Sequence, residues 1–150
     1  MNPIVKIHGG QHKVKNWVLS NFPAKYEGMN YLETCVGGGN IILNKKCSKK
    51  EIICDIDPDL ISIYREVKDY PINFADELIH IPYTEDSFKK ALRKEFRGPV
   101  NEYVLRRMSR GGLMTHFSWS DRLRGKKSSG GLKPGDVNAW ISSIDNIIPI

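Results

Sequence analysis

Several features that define common protein classes are missing from this sequence of 150 residues. No apolar run is long enough to cross a bilayer, and the first residues contain no signal-peptide core. The three cysteines, Cys35, Cys47 and Cys54, form no Cys-x-x-Cys pair and no even set for disulfides. Because Cys35 and Cys54 lie in apolar runs, we expect buried free thiols in a reducing compartment. These absences predict a cytoplasmic protein without a membrane segment.

Two common phosphate-binding signatures are also absent, although residues 30–44, NYLETCVGGGNIILN, contain three consecutive glycines. The dinucleotide fingerprint requires a third spaced glycine at position 42, where Ile42 stands. A Walker loop requires Gly-Lys followed by Ser or Thr, and the sequence has no such triplet. The glycine cluster is therefore not predicted to hold a pyrophosphate.

The bulk composition is that of a folded protein with a moderate excess of positive charge. Hydrophobic residues make up 40% of the chain, which excludes wholesale disorder. The 23 Lys and Arg against 17 Asp and Glu give a formal charge of +6, which is compatible with a polyanionic partner. One segment, residues 124–136, is rich in Gly, Ser and Lys and is predicted to be an exposed loop.

Apolar patterns predict a chain that alternates strands and helices. NYLETCV and EIICDI are short, rich in strand-forming residues and nearly continuously apolar, which favours two parallel strands covered on both faces. After the second strand, Asp57 can cap a helix that starts at Pro58. Further helices are predicted at 73–80, 85–97 and 100–109. Two other apolar stripes at helical spacing are Val14, Trp17, Val18 and Phe22, and, after position 136, Val137, Trp140, Ile141, Ile144 and Ile148.

The order strand, glycine-rich turn, short helix, strand, acidic turn, helix is half of a doubly wound α/β sheet. Only two strands are convincing in 150 residues, and a sheet covered on both faces needs more. We therefore expect the chain to be the front portion of a longer domain.

The spacing between the glycines and the next acidic residues indicates a nucleoside ligand. Asp55 follows the second strand, about where a carboxylate meets ribose hydroxyls in such folds. A ribose held by an acid, with a charged tail over glycines and no phosphates, describes S-adenosylmethionine. The alternative is that the glycines form only a tight turn and that Asp57 is only a helix cap.

Three segments in this order resemble the N-terminal portion of the Dam-like, D12 class DNA adenine-N6 methyltransferases. They are IHGGQHKVKNWVLSNFP, YLETCVGGGNIILN and IICDIDPDLISIYREVKD, and the resemblance is close over residues 5–69. It implies a partial Rossmann-like, S-adenosylmethionine-dependent methyltransferase fold of the α/β class with a mostly helical insertion. It also implies double-stranded DNA as partner and a role in restriction–modification.

The resemblance implies the cofactor-binding residues position by position. Gly9 and Gly10 match the family's opening Gly-Gly-Lys segment, with Gln11 in place of lysine. Thr34 and Cys35 replace Pro-Phe in the family's cofactor motif. The implied cofactor contacts are Gly9, Gly10, Gln11, Glu33, Gly37, Gly38, Gly39 and Asp55.

A basic stretch over residues 104–135 matches the place of the family's DNA-recognition region. It interleaves arginines and lysines with aromatic residues, which suits phosphate contacts and stacking. The alternatives are a solvated basic loop and core packing for Phe117 and Trp119. The predicted DNA contacts are Arg110, His116, Trp119, Arg122, Arg124, Lys126 and Lys127.

The family's catalytic Asp-Pro-Pro-Tyr tetrapeptide does not occur in these 150 residues. It grips the amine of a flipped adenine, so we expect this chain to be inactive alone and to require a complementing C-terminal half. The implied layout is a cofactor-binding part over 1–84, a basic recognition region over 85–136, and a helix over 137–150 that leads to the catalytic half. Two alternatives stay open: a non-catalytic cofactor- or DNA-binding remnant or regulator, and a Rossmann-like enzyme for another nucleotide.

Overall fold

A computed structural model of the protein describes residues 2–118, 141 and 144–150. Three parallel strands form one sheet in the order β1-β2-β3: Asn30–Glu33 (β1), Lys50–Ile53 (β2) and Ile147–Pro149 (β3). The helices are Lys15–Ser20 (α1), Pro58–Asp69 (α2), Pro71–Ile79 (α3), Glu85–Leu92 (α4) and Gly98–Met108 (α5). The α/β class, the parallel sheet and the helical insertion between β2 and β3 are confirmed.

The segment between β2 and α2 folds as its sequence predicts. The Asp57 side chain accepts hydrogen bonds from the backbone N–H groups of Asp59 and Leu60, and Pro58 occupies the first turn of α2. This arrangement satisfies donors that a helix start otherwise leaves unpaired. The apolar stripe of α2 is buried and supplies part of the core: Leu60, Ile63, Tyr64 and Val67.

A third strand lies where the sequence predicted the end of a helix. Ile141 and Ile144 are helical, but Ile148 lies in β3, which pairs with β2. The β-branched pair Ile147–Ile148 suits an extended conformation, and Pro149 is tolerated because β3 has a strand on one side only within the described residues. The prediction of one helix through to Ile148 was therefore wrong.

The short helix predicted after the glycines is replaced by consecutive turns over residues 37–44. They are held by hydrogen bonds such as that from the Leu43 N–H to the Gly39 carbonyl, 3.1 Å. The apolar stripe of α1 is also more exposed than its spacing indicates, since Trp17 is 71% exposed. Helical spacing alone therefore overstated how much of α1 packs into the core.

Strand β1 is less covered than the continuous apolar run predicted. Leu32 on this strand is 55% exposed, and β1 pairs only with β2 within the described part of the chain. The expectation of buried thiols was likewise wrong, because Cys35 is exposed and Cys54 is partly exposed, although both are free. The described sheet therefore has an open edge at β1.

Candidate functional site

A cavity of about 210 Å³ opens at the carboxyl ends of β1 and β2. This is the edge of a parallel α/β sheet at which ligands commonly bind. Its wall combines three parts of the chain: the N-terminal segment (residues 5–11), the glycine turn (residues 35–40) and the acidic turn (residues 55–57). The lining residues are Ile7, His8, Gly9, Gly10, Gln11, Cys35, Val36, Gly37, Gly38, Asn40 and Asp55. The structure thus brings three segments that are far apart in sequence to one site.

The Asp55 carboxylate accepts hydrogen bonds from both the glycine turn and the acidic turn. One carboxylate oxygen accepts a hydrogen bond from the Gly37 N–H at 2.9 Å, and the other accepts one from the Asp57 N–H at 3.2 Å. A carboxylate oxygen can accept more than one hydrogen bond, so Asp55 retains acceptor capacity for hydroxyl groups. Its position suits the binding of a diol.

The glycine turn is shaped by close approaches of backbone and side chains. A Cβ atom on Gly38 would lie 2.7 Å from the Val5 carbonyl oxygen, so the N-terminal segment reaches the turn only because Gly38 has no side chain. The hydroxyl of Tyr64, on α2, donates a hydrogen bond of 2.8 Å to the Gly37 carbonyl. Gly39 has φ of 76°, and a Cβ there would lie 2.7 Å from the Tyr64 hydroxyl.

Two of the predicted contacts, Glu33 and Gly39, do not line the cavity. The Glu33 carboxylate accepts a hydrogen bond from the Tyr31 hydroxyl, 3.0 Å, and another from the Ile42 N–H. Burial raises the pKa of Glu33 to about 7, and these hydrogen bonds and the Lys45 charge only partly oppose the rise. Glu33 and Gly39 therefore contribute to the structure of the glycine turn without lining the cavity.

Two further residues at or near the cavity, Ile56 and Asn40, were not singled out by the sequence as site residues. Ile56 follows Asp55 in the chain and does not line the cavity, but its side chain is 98% exposed, which is unusual for a large aliphatic residue. Asn40 lines the cavity and is almost fully buried, and its position as the first polar residue after the glycines was the available signal. His8 lines the cavity as well, whereas His12 is exposed and lies outside it.

The loop after α5 carries the predicted DNA contacts that the structure describes. Ser109 and Phe117 form an antiparallel bridge, and the Arg110 N–H donates to the His116 carbonyl at 3.3 Å. Arg110 and His116 are exposed. Phe117 packs on the rings of Tyr83 and Phe88, in agreement with the core-packing alternative.

This loop also contacts the N-terminal segment that lines the cavity. A Cβ on Gly112 would lie 2.3 Å from the Lys6 carbonyl oxygen, and the Lys6 ammonium donates a hydrogen bond to the Ser109 carbonyl at 3.2 Å. Burial and the nearby Arg107 charge lower the pKa of Lys6. The N-terminal segment of the cavity wall and the loop after α5 are therefore packed directly on one another.

Arg106, one of the basic residues of the predicted recognition stretch, does not face solvent. It is 4% exposed, and its guanidinium donates to the Asp57 carboxylate at 2.6 Å. Burial acts to raise the pKa of Asp57, but the Leu60 N–H and the Arg106 guanidinium together hold it below its usual value. Arg106 joins α5 to the start of α2 and is not available to phosphates.

Five of the predicted DNA contacts fall outside the described residues: Trp119, Arg122, Arg124, Lys126 and Lys127. Within the described residues, no helix is long and apolar enough to cross a membrane.

Comparison with known proteins shows similarity to one family of enzymes. A family model described as D12 class N6 adenine-specific DNA methyltransferase matches residues 8–99. A Type II methyltransferase, M.MjaIII, of Methanocaldococcus jannaschii is 32% identical over 108 residues, which are 68% of this chain and 37% of that protein. The chain thus spans little more than a third of the length of this relative.

Proposed function

Because the chain belongs to the D12 class of N6 adenine-specific DNA methyltransferases, we propose that its cavity binds S-adenosylmethionine. We further propose that the chain supplies the cofactor-binding and DNA-recognition part of a site-specific adenine-N6 methyltransferase in the cytoplasm. The observation that carries this proposal is the assembly of Gly9, Gly10, Gly37, Gly38 and Asp55 around one cavity.

The residues around the cavity fit the chemistry of this cofactor. Asp55 offers carboxylate oxygens for the ribose hydroxyls, and the exposed Ile56 beside it offers an apolar surface for an adenine ring. The glycine turn leaves room for the methionine part, because nothing lies within 4 Å of a Cβ position on Gly37 or on Gly9. When bound, the cofactor supplies an electrophilic methyl group, and this chain's residues position it.

The DNA side of the proposal rests on charge. Arg107 is exposed at the end of α5, and Arg110 is exposed in the following loop, where its N–H bonds to the His116 carbonyl. Arg122, Arg124, Lys126 and Lys127 continue the basic run, and Trp119 offers a ring for stacking. Such a surface suits phosphate contacts that fix orientation on a duplex.

The open edge of β1 favours a complementing C-terminal half as partner. In doubly wound sheets the strand order reverses beside the first strand, so a further strand belongs at that edge. The Asp-Pro-Pro-Tyr tetrapeptide would come from that half, because these 150 residues contain none. We therefore expect this chain alone to bind the cofactor without methylating DNA.

Isothermal titration calorimetry with S-adenosylhomocysteine and with NAD tests the cofactor proposal. We expect saturable one-to-one binding of S-adenosylhomocysteine and a much weaker or undetectable signal with NAD. Preferential binding of NAD would instead support a Rossmann-like enzyme for another nucleotide.

A second candidate function is a non-catalytic cofactor- or DNA-binding regulator, which the lack of the tetrapeptide favours. Incubation of the chain with DNA and methyl-labelled S-adenosylmethionine, with and without the C-terminal half of a family member, separates the two. Label transfer to adenine that requires the added half supports the methyltransferase proposal. No transfer in either case, together with retained cofactor binding, supports the regulator.

A further inference from the structure

Asn40 is a buried polar residue of the cavity wall with an unmet hydrogen-bond requirement. The residue is 6% exposed, and its side-chain oxygen Oδ1 has no hydrogen-bond partner among the described residues. A buried acceptor left without a donor costs about 1–3 kcal/mol, so native proteins rarely keep one without a reason.

The location of this amide separates it from the other unpartnered atoms of the described part of the chain. Those atoms are Asn101 Oδ1 and Arg106 Nε on α5, and neither residue lines the cavity. The Nδ2 atom of Asn40 lies 3.4 Å from the position of a Cβ on Gly10 and 3.6 Å from that on Gly38. The amide therefore sits where the N-terminal segment meets the glycine turn.

The charges around the cavity restrict what this amide can bind. Among the described residues that line the cavity, Asp55 is the only carboxylate, and it is tied to the Gly37 N–H and the acidic turn. A cationic group of a ligand that reaches Gly10 and Gly38 therefore meets a neutral amide. The oxygen of an amide accepts hydrogen bonds from ammonium groups. A rotation of the Asn40 side-chain amide by about 180° exchanges Oδ1 and Nδ2, so the oxygen can take the position that Nδ2 occupies near Gly10 and Gly38.

Resting on the proposed cofactor, we propose that Asn40 is a specificity residue for the amino-acid end of S-adenosylmethionine. Its Oδ1 accepts a hydrogen bond from the α-ammonium group, while Asp55 binds the ribose. Asn40 thus distinguishes ligands that carry the amino-acid tail from those that end at the sulfur.

The test compares two ligands that share the adenosine and sulfur but differ in the tail. Calorimetric titrations of wild-type protein and Asn40→Ala use S-adenosylhomocysteine and 5′-methylthioadenosine, which lacks the amino-acid group. A hydrogen bond to a charged group corresponds to roughly a ten- to hundredfold change in affinity. We expect a loss of that size for S-adenosylhomocysteine and unchanged affinity for 5′-methylthioadenosine.

Two further variants separate recognition from packing. Asn40→Asp keeps an acceptor in place, so it should bind S-adenosylhomocysteine with an affinity near that of the wild type. Asn101→Ala removes an equally buried asparagine with an unpartnered oxygen outside the cavity and should leave both affinities unchanged.

The outcomes distinguish this inference from the function on which it rests. Equal loss of affinity for both ligands in Asn40→Ala, or no loss for either, would overturn the role of Asn40 while leaving the cofactor proposal in place. A wild-type protein that binds neither ligand overturns both. Restoration of the tail preference by Asn40→Asp, but not by a neutral apolar Asn40→Leu, supports the inference.

Discussion

Asp55 is the residue on which the cavity depends most, since it joins the glycine turn to the acidic turn and still faces the ligand space. Its two bonds to backbone N–H groups hold the carboxylate in place before any ligand binds. Such preorganisation lowers the entropy cost of binding.

The first prediction concerns the charge of Asp55. Asp55→Asn keeps the size of the side chain but removes its charge and replaces one acceptor oxygen with an NH2 donor, so the affinity for S-adenosylhomocysteine should fall roughly ten- to hundredfold. Titration calorimetry measures the fall. Asp69→Asn, at the exposed end of α2, is the matched control and should bind as wild type. Equal affinities of Asp55→Asn and wild type would count against a ribose contact.

The second prediction concerns Glu33 behind the turn. Its pKa is raised from 4.5 to about 7 in the folded protein, so the folded state holds the proton more tightly than the unfolded state. The stability that this proton gives is present below pH 4.5 and is lost as pH rises through about 7. Ionisation should therefore destabilise the wild type by up to about 3 kcal/mol, relative to Glu33→Gln.

Urea unfolding of both proteins at pH 5 and pH 8 checks this prediction. Glu33→Gln should gain in unfolding free energy relative to wild type as pH rises, because it carries no charge to bury. Parallel pH profiles for the two proteins would contradict the raised pKa.

The sequence predicted those site residues whose identity is set by the conformation or close packing of the backbone. Gly10 and Gly38 allow close backbone approach, and Gly9 and Gly37 have positive φ; both are requirements for glycine that a motif records. Asn40 was missed because its burial in the cavity wall depends on packing between two segments that meet only in the fold.

Among the elements, the glycine turn and the N-terminal segment are interlocked. The Val5 carbonyl approaches the Gly38 backbone too closely for any side chain at that position. The turn is also held by the hydrogen bond from the Tyr64 hydroxyl to the Gly37 carbonyl. The shape of the cavity therefore depends on two chain segments pressed together.

The third prediction tests this close approach with Gly38→Ala. The added Cβ would lie 2.7 Å from the Val5 oxygen, so the segments must separate and the affinity for S-adenosylhomocysteine should fall at least tenfold. Gly98→Ala is the matched control, since nothing lies within 4 Å of a Cβ there. Calorimetry on both variants, with thermal melts to compare their stability, gives the result. Wild-type affinity in Gly38→Ala would show that the close approach does not shape the site.

Element boundaries show where sequence patterns were insufficient. Ile144 and Ile148 have helical spacing, yet Ile148 pairs in β3 because β2 offers a free edge that no local pattern reveals. Arg106 similarly belongs to a basic stretch by sequence but is buried against Asp57 in the fold. The strand conformation of Ile148 and the burial of Arg106 therefore both depend on contacts with residues distant in sequence.

For the whole molecule, the loop after α5 and the cavity both pack against the N-terminal segment. Gly112 and Ser109 contact Lys6, two residues before His8 in the cavity wall. The N-terminal segment therefore contacts both this loop and the cavity.

The fourth prediction concerns the DNA interaction of the whole chain. Affinity for duplex DNA should fall steeply with salt, because binding to phosphates releases counterions. Charge removal at Arg122, Arg124, Lys126 and Lys127 together should weaken binding. It should also reduce the slope of log affinity against log salt by about one unit for each phosphate that the variant no longer neutralises. Fluorescence anisotropy over a salt series measures both quantities, and a binding constant that does not change with salt would reject this interface.

The central claim, that the cavity between the N-terminal segment and the glycine turn binds the methyl donor, is tested most directly by nuclear magnetic resonance. Backbone amide spectra of the isotope-labelled chain would be recorded during titration with S-adenosylhomocysteine. The amides of Gly9, Gly10, Gly37 and Gly38 should shift, whereas those of Gly28 and Gly98, which lie outside the cavity, should not. Shifts confined to residues outside the cavity, or no shifts at saturating ligand, would contradict the claim.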